Sequence, residues 1–156
     1  MSSQKSSKTI LGWREWATLS DCADSCVKAK IDTGAKTSAL DAQGMRVVDH
    51  AGHECVEFFL PARAGQNDEP LYGVAPLAGR RTVRSSNGEE EERFLVTMKV
   101  VLGRAPLFID VTLADRSAMV FAMLIGRDVL AGRFLVDPQA SFLLGSGEAP
   151  GANDAR

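Results

Sequence analysis

The stretch "VKAKIDTGAKTSAL", residues 27–40, decides the fold, because a strand-like run ends there on an ionisable side chain. The apolar run through Ile31 arrives at Asp32, and Thr33 and Gly34 then make a tight turn easy. From Thr37 onward the composition again favours a strand. Two interpretations follow: Asp32 caps a loop, or the turn exists to present its carboxylate.

The composition of the whole chain is that of one globular domain. With 156 residues, 45% of them apolar and 24% charged, the chain is long enough to bury a real core. A net charge of −2 gives no electrostatic reason to expect nucleic acid or an acidic membrane as a partner. The N-terminus lacks a signal-peptide core, no apolar run approaches membrane-spanning length, and three cysteines have no framework spacing. We expect a soluble, cytoplasmic protein.

Strand-like patterns fill most of the chain, which predicts an all-β protein with one short helix. Hairpin turns are expected at residues 49–52 and at Gly103–Arg104. The helix is expected in "RDVLAGRF", about two turns long. The expected strands are "LGWREWATL", "CVKAKI", "SALDAQGMRVV", "ECVEFFL", "RFLVTMKVVL", "APLFIDVTLA", "VFAMLIG", "FLVDP" and "SFLLG".

One domain is expected over residues 10–145, between flexible tails at 1–9 and 146–156 that are rich in Ser, Gly, Pro and charge. Residues 61–91 differ from the rest of this domain, because Gly and Pro recur through them and apolar periodicity is weak. Loops that long are usually functional or disordered. We therefore expect a mobile segment at 61–91.

A second signature lies far downstream of Asp32. Leu124-Ile125-Gly126, two apolar residues and a glycine, lead directly into the short helix. An Asp-Thr-Gly alone is weak, since β-turns use the same residues. The pair of signatures, with all-β sequence between them, is how half of an aspartic protease is built. The apolar strand then packs beside the loop that carries the aspartate, which favours the interpretation that the turn presents Asp32.

The chain resembles the bacterial retropepsin-like endopeptidases long known as ATP-dependent zinc proteases, which occur alongside ATP-grasp ligases that add glutamate to proteins. The resemblance covers residues 10–145 and rests on "LGWREWATL", "KAKIDTGAKTSALDA", "RRTVRSSNGEEEERF", "MLIGRDVLAGRFLVDP" and "SFLLG". It implies a closed, retropepsin-like β-barrel with one short C-terminal helix. Two positions depart from the pattern: Asp41 stands where many relatives have His, and Lys36 stands where viral retropepsins have Asp.

The resemblance implies a homodimeric aspartic endopeptidase. Hydrolysis by this route needs two carboxylates that share one proton and hold one water, and their repulsion separates the two pKa values. The chain has one Asp-Thr-Gly, so a two-fold dimer must place Asp32 beside the partner's Asp32. The segment "FLVDPQASFLLG" is expected to help form the interface. The expected catalytic residues are Asp32, Thr33 and Gly34, and the expected supporting residues are Leu124, Ile125, Gly126, Arg127 and Asp128.

Arg127 lacks the carboxylate partner that the corresponding arginine has in viral retropepsins. In viral retropepsins the arginine at this place pairs with the aspartate that Lys36 replaces here. We therefore expect Arg127 to pair with another carboxylate, either the partner subunit's Asp128 or Asp41, in a structural role that supports the interface. Asp128 itself suits the first turn of a helix, where the macrodipole favours a negative charge.

Basic residues predict the substrate class. If the segment 61–91 or the hairpin tip at 49–53 covers the cleft as a flap, basic side chains make the cleft locally positive. Guanidinium groups bind carboxylates through paired, charge-assisted hydrogen bonds. We predict substrates that are glutamate-rich or polyglutamate-modified proteins; the alternative is that these arginines are ordinary solvated residues. The candidate substrate-binding residues are Ala35, Lys36, Thr37, Arg80, Arg81 and Arg84.

The zinc and ATP of the family name have little support in the sequence. His50, His53 and Cys55 could bind zinc in principle, but they straddle the expected hairpin tip, where solvated side chains are ordinary. The chain has no Gly-x4-Gly-Lys-Ser/Thr motif for phosphates. We predict no metal and no cofactor. The alternatives to an aspartic endopeptidase are a catalytically idle retropepsin-like binding module and, less favoured, a zinc-dependent peptidase.

Overall fold

The computed structural model describes residues 7–84 and 87–145, and every structural statement below concerns these residues. Two helices of four residues each are α1 (Ala62–Gly65) and α2 (Arg127–Leu130), and a 3₁₀ turn spans Ser20–Cys22. The strands in chain order are β1 (Thr9–Gly12), β2 (Arg14–Leu19), β3 (Ser25–Ile31), β4 (Ser38–Asp41), β5 (Gln43–His50), β6 (His53–Leu60), β7 (Leu71–Arg84), β8 (Glu90–Leu102), β9 (Ala105–Ala114), β10 (Met123–Ile125) and β11 (Phe134–Asp137).

A closed barrel forms the centre of the fold. Its strands follow the order β2, β3, β10, β4, β9 and β8, and β8 pairs again with β2, where Leu19 lies opposite Val100. Alternate side chains of these strands point inward, and Leu40 and Met98 among them are fully buried. Closure leaves these strands without a free edge. The all-β class and the closed, retropepsin-like barrel predicted from the sequence are confirmed.

Three strands extend the sheet outside the barrel. β7 pairs with β8 on one side and with β6 on the other, and β6 pairs with β5. The β5–β6 hairpin turns between His50 and His53, and the β8–β9 hairpin turns between Leu102 and Ala105. Both predicted hairpin turns are therefore confirmed.

Two of the expected strands are each divided in two. "LGWREWATL" breaks at Trp13, whose N–H donates to the Ala140 carbonyl at 2.8 Å, so β1 leaves the barrel and pairs in parallel with β11. "SALDAQGMRVV" breaks at Ala42, whose N–H donates to the Ala114 carbonyl at 2.9 Å. In both cases a backbone partner distant in sequence redirects the chain, which local alternation cannot reveal.

The expectation of a long loop over residues 61–91 was wrong for much of its length, whereas its mobility stays a prediction; Ser85 and Ser86 lie outside the described residues. Residues 62–65 form α1, and the fourteen residues of β7 pair with strands on both sides. The inward positions of β7 carry small residues, Gly73 and Ala75, which apolar periodicity does not register. Gly73 is required by close packing, since a Cβ there would lie 2.7 Å from the Cys22 sulfur and 2.8 Å from the Phe58 ring.

The C-terminal region is less regular than expected. The helix has four residues rather than about two turns, because Ala131 is extended and Gly132 adopts a positive φ of 83°. "VFAMLIG" contributes only β10, and "SFLLG" forms no strand. The predicted tails at 1–9 and 146–156 lie outside the described residues, apart from residues 7–9, of which Thr9 begins β1. No helix within the described residues has the length and apolar character needed to cross a bilayer.

Candidate active site

The position of β10 between β3 and β4 shapes the loop of residues 32–37. β10 runs parallel to β3, with Ile125 opposite Ile31, and antiparallel to β4, with Met123 opposite Leu40. The Asp32 N–H donates to the Ile125 carbonyl at 2.8 Å. The loop therefore leaves the barrel at the end of β3, and its first residue is attached to the neighbouring strand.

Gly126 brings the end of β10 into direct contact with this loop. A Cβ on Gly126 would lie 2.5 Å from the Thr37 carbonyl oxygen and 3.0 Å from that of Ala35, so only glycine fits. The Gly126 N–H donates to the buried Ser38 hydroxyl at 3.0 Å. The N–H groups of Arg127 and Asp128 donate to the Ala35 and Lys36 carbonyls at 2.8 and 3.0 Å. Ser38 was not predicted from the sequence as a residue that supports the site.

The Asp32 carboxylate is half-buried and has a fixed orientation. Its Oδ1 accepts the Gly34 N–H at 3.0 Å, and its carbonyl accepts the Ala35 N–H at 3.3 Å. Thr33 and Gly34 are exposed. Asp32 thus stabilises the turn and also reaches the surface, so the two interpretations are compatible. It borders a pocket of about 330 Å³ lined by Trp13, Lys30, Asp32, Arg116, Met119, Val120, Phe121 and Leu124.

Arg127 does not pair with Asp41. It is exposed, and its Nη1 donates to the Thr33 carbonyl at 3.0 Å, which ties the helix to the turn. Asp41 is fully buried with both oxygens engaged: Oδ2 accepts Arg63 Nη2 at 2.9 Å and Oδ1 accepts the Arg116 N–H at 2.8 Å. The expected Arg127–Asp41 pairing was therefore wrong, because arginines from other parts of the fold satisfy Asp41. A pairing of Arg127 with the partner subunit's Asp128 stays a prediction.

The candidate substrate-binding residues fall into two separate places. Ala35, Lys36 and Thr37 lie on the loop of residues 32–37, and Lys36 is exposed. The other three candidates lie on β7 and do not line the pocket beside Asp32; they are Arg80, Arg81 and Arg84. The glutamates of "EEEER" on β8 face them: Arg84 binds Glu90 at 2.7 Å, and the Nε of Arg80 lies 4.0 Å from Glu92. Arg81 lies between them on β7, opposite Arg93 of β8.

The sequence interpretation did not identify Arg116 as a site residue. Its Nε and Nη2 donate to the Phe121 carbonyl at 3.3 and 3.2 Å, which closes the loop of residues 116–121 beside Asp32. Burial is the main cause that lowers the pKa of Arg116, and the positive charge of Arg93 lowers it further. The negative charges of Asp41 and Asp32 act in the opposite direction and raise it. A single arginine in a loop carries no periodic signal, so only the fold places it in the pocket.

The zinc hypothesis depends on His50, His53 and Cys55. The two histidines face each other across the end of the β5–β6 hairpin and are exposed, whereas Cys55 is buried. Among the residues that the structure describes, no three His, Cys, Asp or Glu side chains come together as a metal site. These residues therefore do not fit a zinc ion.

Comparisons with known proteins place the chain in a family. Residues 10–146 match the RimB-like family, described as retropepsin-like aspartic endopeptidase RimB. A Legionella pneumophila protein of unknown function, solved in structural genomics, superposes with a TM-score of 0.75 at 27% identity, over 89% of this chain and 100% of that one.

Curated relatives carry a different name. The chain is 33% identical over 138 residues to a probable alpha-L-glutamate ligase of Shewanella pealeana, covering 88% of this chain and 30% of that protein. It is 35% identical over 140 residues to a protein of the same name from Parasynechococcus marenigrum, covering 88% and 30%. The chain thus spans about 30% of the length of the curated relatives that it matches.

A closed barrel with an Asp-Thr-Gly loop packed against an apolar-apolar-Gly strand defines a retropepsin-like protein. Such a barrel corresponds to one half of an aspartic protease. This chain belongs to the RimB-like family of retropepsin-like aspartic endopeptidases.

Proposed function

We propose that this chain is one protomer of a homodimeric aspartic endopeptidase. The observation that carries the proposal is the half-buried Asp32 carboxylate at the end of β3, oriented by the Gly34 N–H at 3.0 Å beside an open pocket. The chain has one Asp-Thr-Gly, and a two-fold axis next to this loop would bring Asp32 and the partner's Asp32 together.

The proposed reaction uses the two carboxylates in different protonation states. The ionised one takes a proton from the water, and the water oxygen attacks the peptide carbonyl carbon. The protonated one donates its proton to the carbonyl oxygen. In the resulting gem-diol the first carboxyl gives its proton to the amine nitrogen, the second carboxylate takes a proton from one hydroxyl, and the C–N bond breaks to leave a carboxylic acid and an amine. The Thr33 hydroxyl connects the two loops, and Gly34 lets the substrate approach the backbone closely.

The terminal strands are the proposed dimer interface. β1 and β11 form a separate two-stranded sheet in which Ile10 lies opposite Leu135. These side chains are 50% and 53% exposed, and Leu143 is 48% exposed in the segment that follows. Neighbouring exposed apolar side chains are typical of surfaces that bind a partner. A second copy would cover them.

Acidic peptides are the proposed substrates. Lys36 on the catalytic loop, together with Lys30 and Arg116 in the pocket, makes this side of the protein cationic. The relatives named probable alpha-L-glutamate ligase support the link to glutamate-rich or polyglutamate-modified proteins.

Asp32→Asn should abolish cleavage of a peptide library while circular dichroism and sedimentation remain unchanged. Asp68→Asn, a matched change in an exposed turn, should cleave like the wild type.

A catalytically idle binding module is the second candidate. The observation that favours it is the relatives' length, since the matched segment is about 30% of proteins whose printed name is that of a ligase. The Asp32→Asn comparison separates the two functions. A wild-type dimer that binds acidic peptides and cleaves none, in the presence or absence of added zinc, would favour the module. Cleavage that survives a zinc chelator would exclude the zinc-dependent peptidase.

A further inference from the structure

Lys28 and Lys30 lie on the outer face of β3, and Asp32 continues the same row. The two lysines are exposed, and each residue between these three positions is buried in the barrel. Because successive side chains of a strand point to opposite faces, the three point to the same side, and neighbours in the row are about 6.6 Å apart. The row therefore leads from the Asp32 carboxylate along the surface of the barrel.

Two pockets occupy successive positions along this row. Lys30 lies opposite Leu124 in the parallel β3–β10 ladder, and both line the pocket described above. A second pocket, of about 170 Å³, contains the residues two positions earlier, Lys28 and Ala122. Its full lining is Lys28, Arg63, Ala64, Gln66, Val120 and Ala122. Val120 lines both pockets, so the two form one groove that begins at the catalytic carboxylate.

The two lysines of this groove lack carboxylate partners. Neither Lys28 nor Lys30 forms an ion pair in the part of the chain that the structure describes. Lys30 lies directly opposite Arg14 of β2, and like charges in that position destabilise a sheet. Arg14 is held in place by aromatic rings, since its guanidinium carbon lies 4.7 Å from the centre of the Trp13 ring and 4.9 Å from that of Phe142. A carboxylate bound at Lys30 would offset this repulsion.

An extended peptide has the same periodicity as β3. Its alternate side chains lie on one side about 6.6 Å apart, so glutamates two residues apart would face Lys30 and Lys28 at the same time. Two adjacent glutamates cannot do so, because one of them points away from the groove. Val120 is 91% exposed where the two pockets meet, and it offers apolar surface to the methylene groups of a glutamate.

We propose that Lys30 and Lys28, the lysine groove, bind two carboxylates, two residues apart, in an extended acidic segment of the substrate that leads away from the bond at Asp32. This inference rests on the proposed function and deepens it, because it names the side chains that select glutamate and the spacing that they select. The lysine groove does not include Arg63, whose guanidinium already pairs with the buried Asp41 at 2.9 Å.

The test is binding of three labelled peptides to the Asp32→Asn protein, measured by fluorescence anisotropy at low salt. The peptides carry Glu-Gln-Glu, Glu-Glu-Gln or Gln-Gln-Gln in the same neutral background. The first two have equal charge, so general attraction to a cationic surface would bind them equally. An exposed ion pair changes affinity by up to roughly fivefold, so the Glu-Gln-Glu peptide should bind about fivefold more tightly than the Glu-Glu-Gln peptide.

Lysine variants in the same protein assign this preference to the groove. Lys28→Gln and Lys30→Gln should each weaken the Glu-Gln-Glu peptide about fivefold and leave the Glu-Glu-Gln peptide within about twofold, because the remaining lysine still binds one glutamate. Lys99→Gln, at an exposed lysine of β8 that lines neither pocket, is the matched control and should change no peptide. All three side chains are exposed, so circular dichroism should stay unchanged.

The inference and the proposed function can fail separately. Equal binding of the two glutamate peptides, no detectable binding of either, or an equal effect of Lys99→Gln would overturn the lysine groove even if the wild type cleaves peptides. A preference for Glu-Gln-Glu that depends on Lys28 and Lys30, in a protein whose wild type cleaves nothing, would support the lysine groove and contradict the endopeptidase.

Discussion

Replacing Glu15 should destabilise the protein, because its buried carboxylate accepts three backbone N–H groups. Glu15 is fully buried, and its Oε2 accepts the N–H groups of Gly12 at 2.7 Å and Leu143 at 2.9 Å. Its Oε1 accepts the Leu144 N–H at 3.1 Å. One side chain thus attaches the C-terminal segment to the break between β1 and β2, where the dimer interface is proposed.

The magnitude follows from what each N–H loses. A hydrogen bond to a charged group contributes roughly 1.5–3 kcal/mol, and an unsatisfied buried donor costs roughly 1–3 kcal/mol. In Glu15→Ala, Leu143 and Leu144 can bond to water because their segment is at the surface, whereas Gly12 is buried. We expect a loss of about 3–4 kcal/mol in the free energy of unfolding. Glu15→Gln keeps the oxygen that accepts two bonds and loses one bond, so about half that loss is expected.

The assay is urea unfolding followed by tryptophan fluorescence, which reports this region because Trp16 stacks on Phe142 at 5.6 Å. Glu69→Ala, an exposed glutamate in a turn, is the matched control and should leave the midpoint unchanged. Sedimentation of Glu15→Ala should also show weaker dimerisation. If Glu15→Ala unfolds within 1 kcal/mol of the wild type, the three bonds do not anchor the C-terminal segment and the reasoning fails.

Two further predictions concern buried positions. Gly126→Ala, whose Cβ would lie 2.5 Å from the Thr37 oxygen, should cost about 2–3 kcal/mol in urea unfolding, whereas Gly145→Ala, with nothing within 4 Å, should be neutral. Burial raises the pKa of Cys22 from 9.0 to about 12, so the folded state loses stability as pH rises above the unfolded value. Between pH 8 and pH 10 the wild type should therefore lose about 1.4 kcal/mol more than Cys22→Ala, and equal losses would contradict this.

The sequence predicted most strands because their alternation is a local property. The two hairpin turns at His50–His53 and Leu102–Ala105 also have the expected composition, whereas the closed barrel was expected from the family resemblance. The loop of residues 32–37 was also predictable, because the tight turn at Asp32 and the apolar strand before Gly126 each have a recognisable composition.

The errors arose where distant contacts decide the structure. β7 lacks apolar periodicity because Gly73 must lie against Cys22 and Phe58, and a glycine that packs closely looks the same in sequence as one in a loop. Glu15 is a charged residue within an alternating strand, where a solvent-facing side chain is the ordinary expectation. The Glu15 carboxylate receives hydrogen bonds from Leu143 and Leu144 because the C-terminal segment folds back against β2, and a local sequence pattern does not show that contact.

Charge gives the clearest example of this limit. Arg80, Arg81 and Arg84 are close together in sequence and suggest a basic patch, yet in the hairpin Arg80 and Arg84 face Glu92 and Glu90, which offset their charge. Arg116 stands alone in its loop in the sequence, yet the fold places it in the pocket that Asp32 also lines. What a cation can bind depends on which acidic groups the fold already places beside it. Which arginines can meet a ligand therefore follows from where the fold places acidic groups and not from how crowded the arginines are in the sequence.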